Sequence, residues 1–213
     1  MIEAKPTCWG HKLITFYTNL SIKRHFSGLY VNQNPTLNPD KSVLLIGNHF
    51  SWWDGFVPYY VNKQVFKRYF YIMMLEEELT SRRLLRNAGA FSIKKQSRDA
   101  INSINYAASF LQQPQNLLVF YPEGSIGSMH QEQLHFQPGL ERIVRKSQAT
   151  AQALLVVMLV DYYAHPKPQI YFYMQHLEHI PDSAEAIEAH YNKFYWDAKA
   201  QQRNHNLPSI KIG

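Results

Sequence analysis

Two side chains near residue 50, a histidine and an aspartate five positions apart, have the types and spacing needed for proton transfer. His49 and Asp54 follow the apolar run 43–47, which is typical of a buried strand. A carboxylate can hold one nitrogen of an imidazole ring while the other nitrogen takes a proton from a hydroxyl. This pair therefore predicts a general base just beyond the end of a strand.

The backbone must turn between these two residues for the pair to form. Positions five apart on a continuous helix are rotated by about 140° and face away from each other. Ser51 is a good N-cap, and its spacing to Asp54 is that of a capping box with Asp in place of Glu. We therefore expect His49 in a strand-to-helix loop and Asp54 in the first helical turn. The same residues are also compatible with a purely structural helix cap.

A second polar segment, residues 121–127, follows another strand-like run at 117–120. It contains Glu123, Gly124 and Ser125. Functional sites in open α/β sheets gather at the carboxyl ends of the strands. The two polar segments are therefore expected to meet at one edge of one sheet.

The composition is that of a folded, basic domain. Of its 213 residues, 46% are hydrophobic and 18% are charged, and the net charge is +6. Such a protein can be attracted to nucleic acid, anionic lipid or phosphorylated cofactors, and the lack of a recognisable nucleic-acid motif makes nucleic acid the least favoured of these. The single cysteine, Cys8, excludes an intrachain disulfide. No metal site is expected, because no cluster has metal-ligand spacing.

The sequence predicts a peripheral association with membranes rather than a membrane span. The longest apolar run, 153–160, is far shorter than the roughly 18 residues that a spanning helix needs. Because no signal peptide is recognisable, we expect a cytoplasmic protein on the inner face of the membrane. Residues 9–25 predict an amphipathic helix, whose aromatic face would lie either at the membrane interface or against the protein's own sheet. That face contains Trp9, Leu13, Phe16, Tyr17 and Leu20.

Alternating strand and helix patterns predict an α/β sandwich, with a largely parallel or mixed central sheet flanked by helices. Strands are predicted at 43–47, 69–74, 90–93, 117–121, 154–160 and 169–174. Helices are predicted at 53–63, 78–88, 97–112, 138–148 and 184–203. We interpret the chain as one domain over residues 1–213, made of an N-terminal amphipathic helix region (1–30), a catalytic core (40–180), the C-terminal helix and a loose tail (204–213).

With both polar segments in order, the chain resembles the His-x4-Asp glycerolipid and lysophospholipid acyltransferases. The resemblance covers about residues 40–165. Residues 48–55 match the first family motif, 89–95 resemble the second, and 121–125 resemble the third, which is usually Phe-Pro-Glu-Gly-Thr. Taken together, ordered and correctly spaced, these motifs indicate the family strongly.

The resemblance implies transfer of a fatty acyl group from acyl-CoA or acyl carrier protein to a hydroxyl of a lipid acceptor. No covalent acyl-enzyme and no tightly bound cofactor are implied. His49 would be the general base, and Asp54 would orient it. The implied substrate-binding residues are Asn48, Ser51, Lys94, Lys95, Glu123, Gly124 and Ser125.

Three expected phosphate contacts of the family are missing from this chain. Ile126 stands where the third motif usually continues with Arg. Glu77 precedes the Glu78-Leu79 pair where a basic residue is common, and Gln137 lies in a downstream segment that commonly has Lys. These departures predict an acceptor less anionic than lysophosphatidate, such as a glycolipid, a carotenoid glycoside or an amino-acid lipid.

Two other functions are compatible with the sequence. One is a non-catalytic lipid-binding module on the same fold. The other is a serine hydrolase that uses Ser125, although Glu123 stands where a nucleophile elbow requires glycine.

Overall fold

The computed structural model describes residues 1–94 and 99–212 and is built around one eight-stranded sheet. Its strands are β1 (Gly28–Val31), β2 (Ser42–Gly47), β3 (Tyr69–Leu75), β4 (Ala90–Ile93), β5 (Asn116–Phe120), β6 (Ala151–Asp161), β7 (Gln169–Leu177) and β8 (Ile210–Lys211). The order across the sheet is β4-β3-β5-β2-β6-β7-β1-β8. The five strands from β4 to β6 are parallel, β7 is antiparallel to β6, and β8 is antiparallel to β1. The predicted α/β class and mixed sheet are confirmed.

Within residues 1–94 and 99–212, six α-helices connect and cover the strands. They are α1 (Cys8–His25), α2 (Phe56–Val61), α3 (Glu76–Ser81), α4 (Asp99–Phe110), α5 (Leu140–Ser147) and α6 (Ala184–Arg203). The single helix predicted over 53–63 is instead a 3₁₀ turn at Trp52–Gly55, then α2, then a π-helical turn at Asn62–Phe66. The helix predicted over 78–88 likewise divides into α3 and a 3₁₀ turn at Arg83–Ala88. Apolar spacing does not distinguish these helix types, since all of them bury side chains about once per turn.

The central strands are buried on both faces, which explains why their sequences are continuous apolar runs. Along β2, Val43 and Leu45 belong to the core layer beneath α1 and α2. Leu44 and Ile46 belong to the opposite layer, beneath α4, α5 and α6. The inner face of α6 belongs to the same layer: Ile187, Tyr191, Tyr195 and Ala198 are buried, and Phe194 packs against this layer.

The aromatic face of α1 points to solvent. Its five members, Trp9, Leu13, Phe16, Tyr17 and Leu20, are between 42% and 67% exposed. The helix packs inward through Gly10, Thr18, Ser21 and Ile22. Gly10 lies against the 3₁₀ turn so closely that a Cβ atom there would come within 2.4 Å of the Asn87 carbonyl oxygen. The alternative in which the aromatic face packs on the protein's own sheet is therefore wrong.

The end of the chain is part of the sheet rather than a loose tail. In β8, Ile210 pairs with Val31 and Lys211 pairs with Tyr30. Ile212 is buried against the core. Neither β1 nor β8 was predicted from the sequence.

The two polar segments meet at one edge of the sheet, as predicted. Strand β2 is parallel to β5, and Ile46 is paired with Phe120. The chain therefore leaves both strands at the same level, at residues 48 and 121. None of the helices in the described part of the chain is long and apolar enough to cross a membrane.

Candidate active site

His49 and Asp54 form a close pair at this edge. Nδ1 of His49 lies 2.6 Å from Oδ2 of Asp54, and the carboxylate is fully buried. The same oxygen accepts the backbone N–H groups of Phe50 and Ser51 at 2.7 and 2.8 Å. Because an aspartate can only accept, Nδ1 carries the proton and Nε2 is the basic nitrogen. The His49 side chain is 25% exposed, so part of it is open to solvent.

A complete capping box, with Ser51 as the N-cap, forms the turn between His49 and Asp54. The Ser51 hydroxyl accepts the backbone N–H of Trp53 at 2.9 Å and donates to Oδ1 of Asp54 at 3.2 Å. Ser51 is a predicted substrate-binding residue, and in the structure its hydroxyl makes both of these bonds within the loop, one of them to the Asp54 carboxylate.

Asn48, another predicted substrate-binding residue, bonds through its side chain to β6. Its side chain is buried, and its amide donates to the Met158 carbonyl at 2.9 Å while accepting the Met158 N–H at 2.8 Å. This pair of bonds holds the end of β2 against β6. The backbone just before His49 is thereby fixed relative to the sheet.

The third motif is fastened directly to the His49 backbone. Oε1 of Glu123 accepts the N–H of His49 at 2.8 Å, and the N–H of Gly127 donates to the His49 carbonyl at 2.8 Å. Gly124, between them, adopts a left-handed backbone with φ of 67°, a conformation that favours glycine. The loop after β2 and the loop after β5, distant in sequence, are therefore joined at the backbone of His49.

Tyr121 supports both members of the pair, a role that sequence reasoning did not assign. Its ring stacks on the His49 imidazole, with centroids 4.7 Å apart and planes 14° from parallel. Its hydroxyl donates to the backbone carbonyl of Asp54. Burial raises the pKa of Tyr121 well above its ordinary value, so the hydroxyl keeps its proton and remains a donor. The one indication of this role in the sequence is that Tyr121 stands where the family motif usually has phenylalanine.

We expect Tyr121→Phe to lower kcat by roughly twofold to tenfold with little change in KM. The variant keeps the stacked ring but loses one neutral hydrogen bond, which is worth about 0.5–1.5 kcal/mol. Steady-state kinetics compared with Tyr162→Phe, an exposed tyrosine outside the site, provide the test. An unchanged kcat would remove the positioning role of the hydroxyl.

Glu123 is held in a partly buried environment that affects its ionisation. Burial raises the pKa of Glu123 above its ordinary value, and the hydrogen bond from the His49 N–H opposes that shift. The folded protein thus binds this proton more tightly than the unfolded chain does. As the pH rises through the raised pKa, the Glu123 carboxyl loses its proton. The free energy of unfolding then decreases, because the folded state holds that proton more tightly than the unfolded chain does.

Glu123→Gln should therefore gain stability relative to the wild type as the pH increases from about 4 to about 7. Urea unfolding at several pH values measures this difference directly. Glu132→Gln, an exposed carboxylate in the same long loop, is the matched control and should show no such trend. If the stability of Glu123→Gln relative to the wild type stays constant or decreases as the pH rises, the raised pKa of Glu123 is contradicted.

The remaining predicted site residues lie at the same edge or outside the described residues. Lys94 follows β4 and is exposed. The hydrogen bonds of Glu76 with the N-terminal ammonium and with Ser92 lower the pKa of that carboxyl, and the charge of Lys94 makes the smallest contribution in the same direction. Ser125 is exposed, and no hydrogen bond joins it to a histidine in the described part of the chain, so the arrangement gives no support to a serine nucleophile. Lys95 lies outside the described residues.

Arg82 reaches the segment that carries the His49–Asp54 pair. The Arg82 guanidinium lies 4.4 Å from the ring centre of Trp52 and also pairs with Glu78. Trp52 is 48% exposed and begins the turn that contains Asp54. Over residues 1–94 and 99–212, no group of three or more His, Cys, Asp or Glu side chains is arranged to hold a metal ion.

Comparison with known proteins agrees with this geometry. The family model described as Acyltransferase matches residues 28–159. A 1-acyl-sn-glycerol-3-phosphate acyltransferase from Streptococcus pneumoniae is 30% identical over 100 residues, which are 45% of this chain and only 36% of that protein. The crystal structure of the 1-acyl-sn-glycerophosphate (LPA) acyltransferase PlsC from Thermotoga maritima shares the fold, with a TM-score of 0.66, 15% identity and coverage of 91% of this chain and 79% of that one. Since the family model spans more than half of the sequence, this protein belongs to the acyltransferase family.

Proposed function

We propose that this protein transfers a fatty acyl group from a thioester to a hydroxyl of a lipid, with His49 as the general base. The observation that carries the proposal is the His49–Asp54 pair, in which Nδ1 is held and Nε2 is left as the base. Nε2 takes the proton of the acceptor hydroxyl while the hydroxyl oxygen attacks the thioester carbonyl. The C–S bond then breaks, and the imidazolium returns its proton to the leaving thiolate. A thioester is already activated, so no protein nucleophile is required.

Asp54 has two tasks in this mechanism. It fixes the ring tautomer and orientation before the reaction, and its negative charge stabilises the imidazolium that forms during the reaction. A buried carboxylate is well suited to the second task, because an interaction between charges is stronger away from water. The developing oxyanion needs donors as well. The Gly124 N–H is bonded to the Tyr121 carbonyl, so we propose the Ser125 N–H for this role.

The proposed donor is the thioester of coenzyme A or of acyl carrier protein, used as a co-substrate without a tightly bound cofactor. The proposed acceptor carries less negative charge than lysophosphatidate. Ile126 supports this, because it is 60% exposed and directly precedes Gly127, which bonds to the His49 carbonyl. An apolar side chain therefore occupies the site rim where the family usually has arginine. A glycolipid, a carotenoid glycoside or an amino-acid lipid fits this rim.

Release of free CoA from palmitoyl-CoA tests the proposal against a panel of acceptors. The panel contains lysophosphatidate, a lysolipid with a sugar headgroup and a lyso amino-acid lipid. We expect acceptor-dependent release that is faster with the less anionic lipids. A clear preference for lysophosphatidate would reject the acceptor assignment while supporting acyl transfer. Vesicle binding with no release from either thioester donor would favour a lipid-binding module.

We further propose that the exposed face of α1 docks on the membrane surface. Tyr17 of this face contacts Phe56, with ring centres 5.4 Å apart, and Phe56 contacts Trp52 at 5.6 Å. Aromatic side chains favour the membrane–water interface. This row of rings runs from the helix to the turn that holds Asp54. An acceptor lipid could thus reach His49 while its acyl chain remains in apolar surroundings.

A further inference from the structure

A basic groove lies between α1 and the start of β3, away from the catalytic pair. Lys12 of α1, Lys63 of the π-helical turn and Arg68 line it, and no aspartate or glutamate is among the residues that line it in the described part of the chain. Tyr69, also in the lining, is the first residue of β3. Because β3 is parallel to β5 and β5 is parallel to β2, the groove is at the edge opposite to His49.

The cations of the groove are not equivalent. The Arg68 guanidinium donates to three backbone carbonyls, those of Asn38, Lys41 and Pro114, and so joins neighbouring loops. The Lys63 ammonium lies 5.9 Å from the ring centre of Tyr59. Within the described residues, neither Lys12 nor Lys63 has a carboxylate partner, and both side chains are exposed. The two lysines can therefore approach an anion without breaking an existing ion pair.

The behaviour of His11 is consistent with a positive potential in the groove. This residue also lines it, between Lys12 and the Tyr59 hydroxyl, which lies 3.2 Å from the His11 ring nitrogen Nδ1. Burial, followed by the charge of Lys63, lowers the pKa of His11. Burial disfavours a charge of either sign, so only the contribution of Lys63 to this shift reflects a positive potential in the groove.

The groove also continues into the exposed apolar face of α1. Phe16 belongs to both, since it lines the groove and is one of the outward aromatic residues. Lys12 and Phe16 are four residues apart, so they lie on the same side of the helix. Leu13 and Leu20 extend the apolar surface beside them. A ligand that fits would have an anionic head next to apolar chains.

We propose that this groove binds the phosphate of an anionic membrane phospholipid, with Lys12 and Lys63 as its ligands. The acyl chains of that lipid would lie against Leu13, Phe16 and Leu20. The site is separate from the site of acyl transfer, and its lipid is a docking partner rather than a substrate. The inference rests on the proposed membrane docking of α1. It adds that this docking uses a lipid with a negatively charged headgroup.

Vesicle flotation without any substrate tests the groove independently of catalysis. The probes are vesicles of phosphatidylcholine alone and of phosphatidylcholine with about a third phosphatidylglycerol. The variants are the double substitution Lys12→Gln/Lys63→Gln and a control, Lys146→Gln/Lys193→Gln, which removes the same charge from α5 and α6 on the opposite layer. A Phe16→Ser/Leu20→Ser variant tests the apolar face on both vesicle types.

We expect the wild type to bind the anionic vesicles more tightly than the neutral ones. Each lysine near an anionic surface contributes roughly a fivefold factor, so the groove variant should lose about 30-fold in affinity for anionic vesicles. The control should stay within about threefold of the wild type, because screening weakens the contribution of distant charges. Binding to neutral vesicles should fall only in the Phe16→Ser/Leu20→Ser variant.

The proposal would be overturned by equal wild-type affinity for both vesicle types, by an unchanged groove variant, or by equal losses in the groove and control variants. Equal losses would mean that binding depends on the total charge of the protein rather than on the two lysines of the groove. A wild type that binds no vesicle would overturn the docking of α1 as well. CoA release with a short-chain soluble acceptor distinguishes a failure of membrane docking from a failure of the proposed acyl transfer. The groove variant should retain wild-type turnover with that acceptor.

Discussion

His49→Ala is expected to lower acyl transfer by about 10²–10⁴-fold, the usual contribution of a positioned general base. The substitution removes Nε2, which is the proton acceptor in the proposed reaction. The effect should appear in kcat, because the lost nitrogen takes part in the proton transfer itself. Release of free CoA in the presence of the best acceptor measures it.

The fold should survive this substitution. Asp54 would lose its bond from the imidazole but would keep two backbone N–H donors and the Ser51 hydroxyl. Thermal unfolding of the variant should therefore remain cooperative, with a small decrease in Tm. His165→Ala, an exposed histidine in the connection between β6 and β7, is the control and should behave as the wild type. Turnover near the wild-type rate in His49→Ala would exclude His49 as the base.

Asp54→Asn is expected to be the other severe substitution, and it should affect both activity and stability. An asparagine can place its oxygen at the Oδ2 position and still accept from His49, Phe50 and Ser51. The charge is lost, however, so the imidazolium that forms during transfer is no longer stabilised. We expect kcat to fall by roughly 10²-fold or more. Bonds to a neutral acceptor are also weaker, so we expect a loss of about 1–3 kcal/mol in the free energy of unfolding.

Comparison with Asp54→Ala separates the two effects. Alanine leaves the buried N–H groups of Phe50 and Ser51 without their acceptor, so its stability should fall below that of Asp54→Asn. Both variants should be similarly inactive. Urea unfolding and CoA release on the same preparations, with exposed Asp40→Asn as the control, provide the measurement. An active Asp54→Asn enzyme would limit the role of the carboxylate to capping.

The buried strands and the meeting of the two polar segments could be predicted from the sequence. Continuous apolar runs such as Leu44 to Ile46 are compatible only with a strand covered on both faces or with a buried helix, and the flanking turns distinguish the two. The carboxyl-end rule then places residues 48 and 121 at one edge. The capping box at Ser51 also follows from local spacing. All of these signals are short in range along the chain.

The features that the sequence did not reveal depend on distant contacts. Nothing near Glu123 indicates that its carboxylate will accept the N–H of His49. Asn48 follows a motif pattern that suggested substrate binding, yet its amide is matched to the Met158 backbone on another strand. Periodicity identified the aromatic face of α1 but not its direction. That direction depends on Gly10, whose missing side chain lets the polar face pack inward.

The junction at His49 also has a consequence for how the chain acquires activity. Strand β2 must pair with β5 and β6, whose partner residues are about 70 and 110 positions further along the chain. Parallel pairing over such distances forms slowly, because closing a long loop costs entropy before the contacts between the strands can compensate for it. Until β5 is in place, His49 lacks both the Glu123 bond and the Tyr121 ring. Catalytic competence is thus a late event in folding, and recovered turnover after dilution from denaturant reports the completed sheet rather than local helix formation.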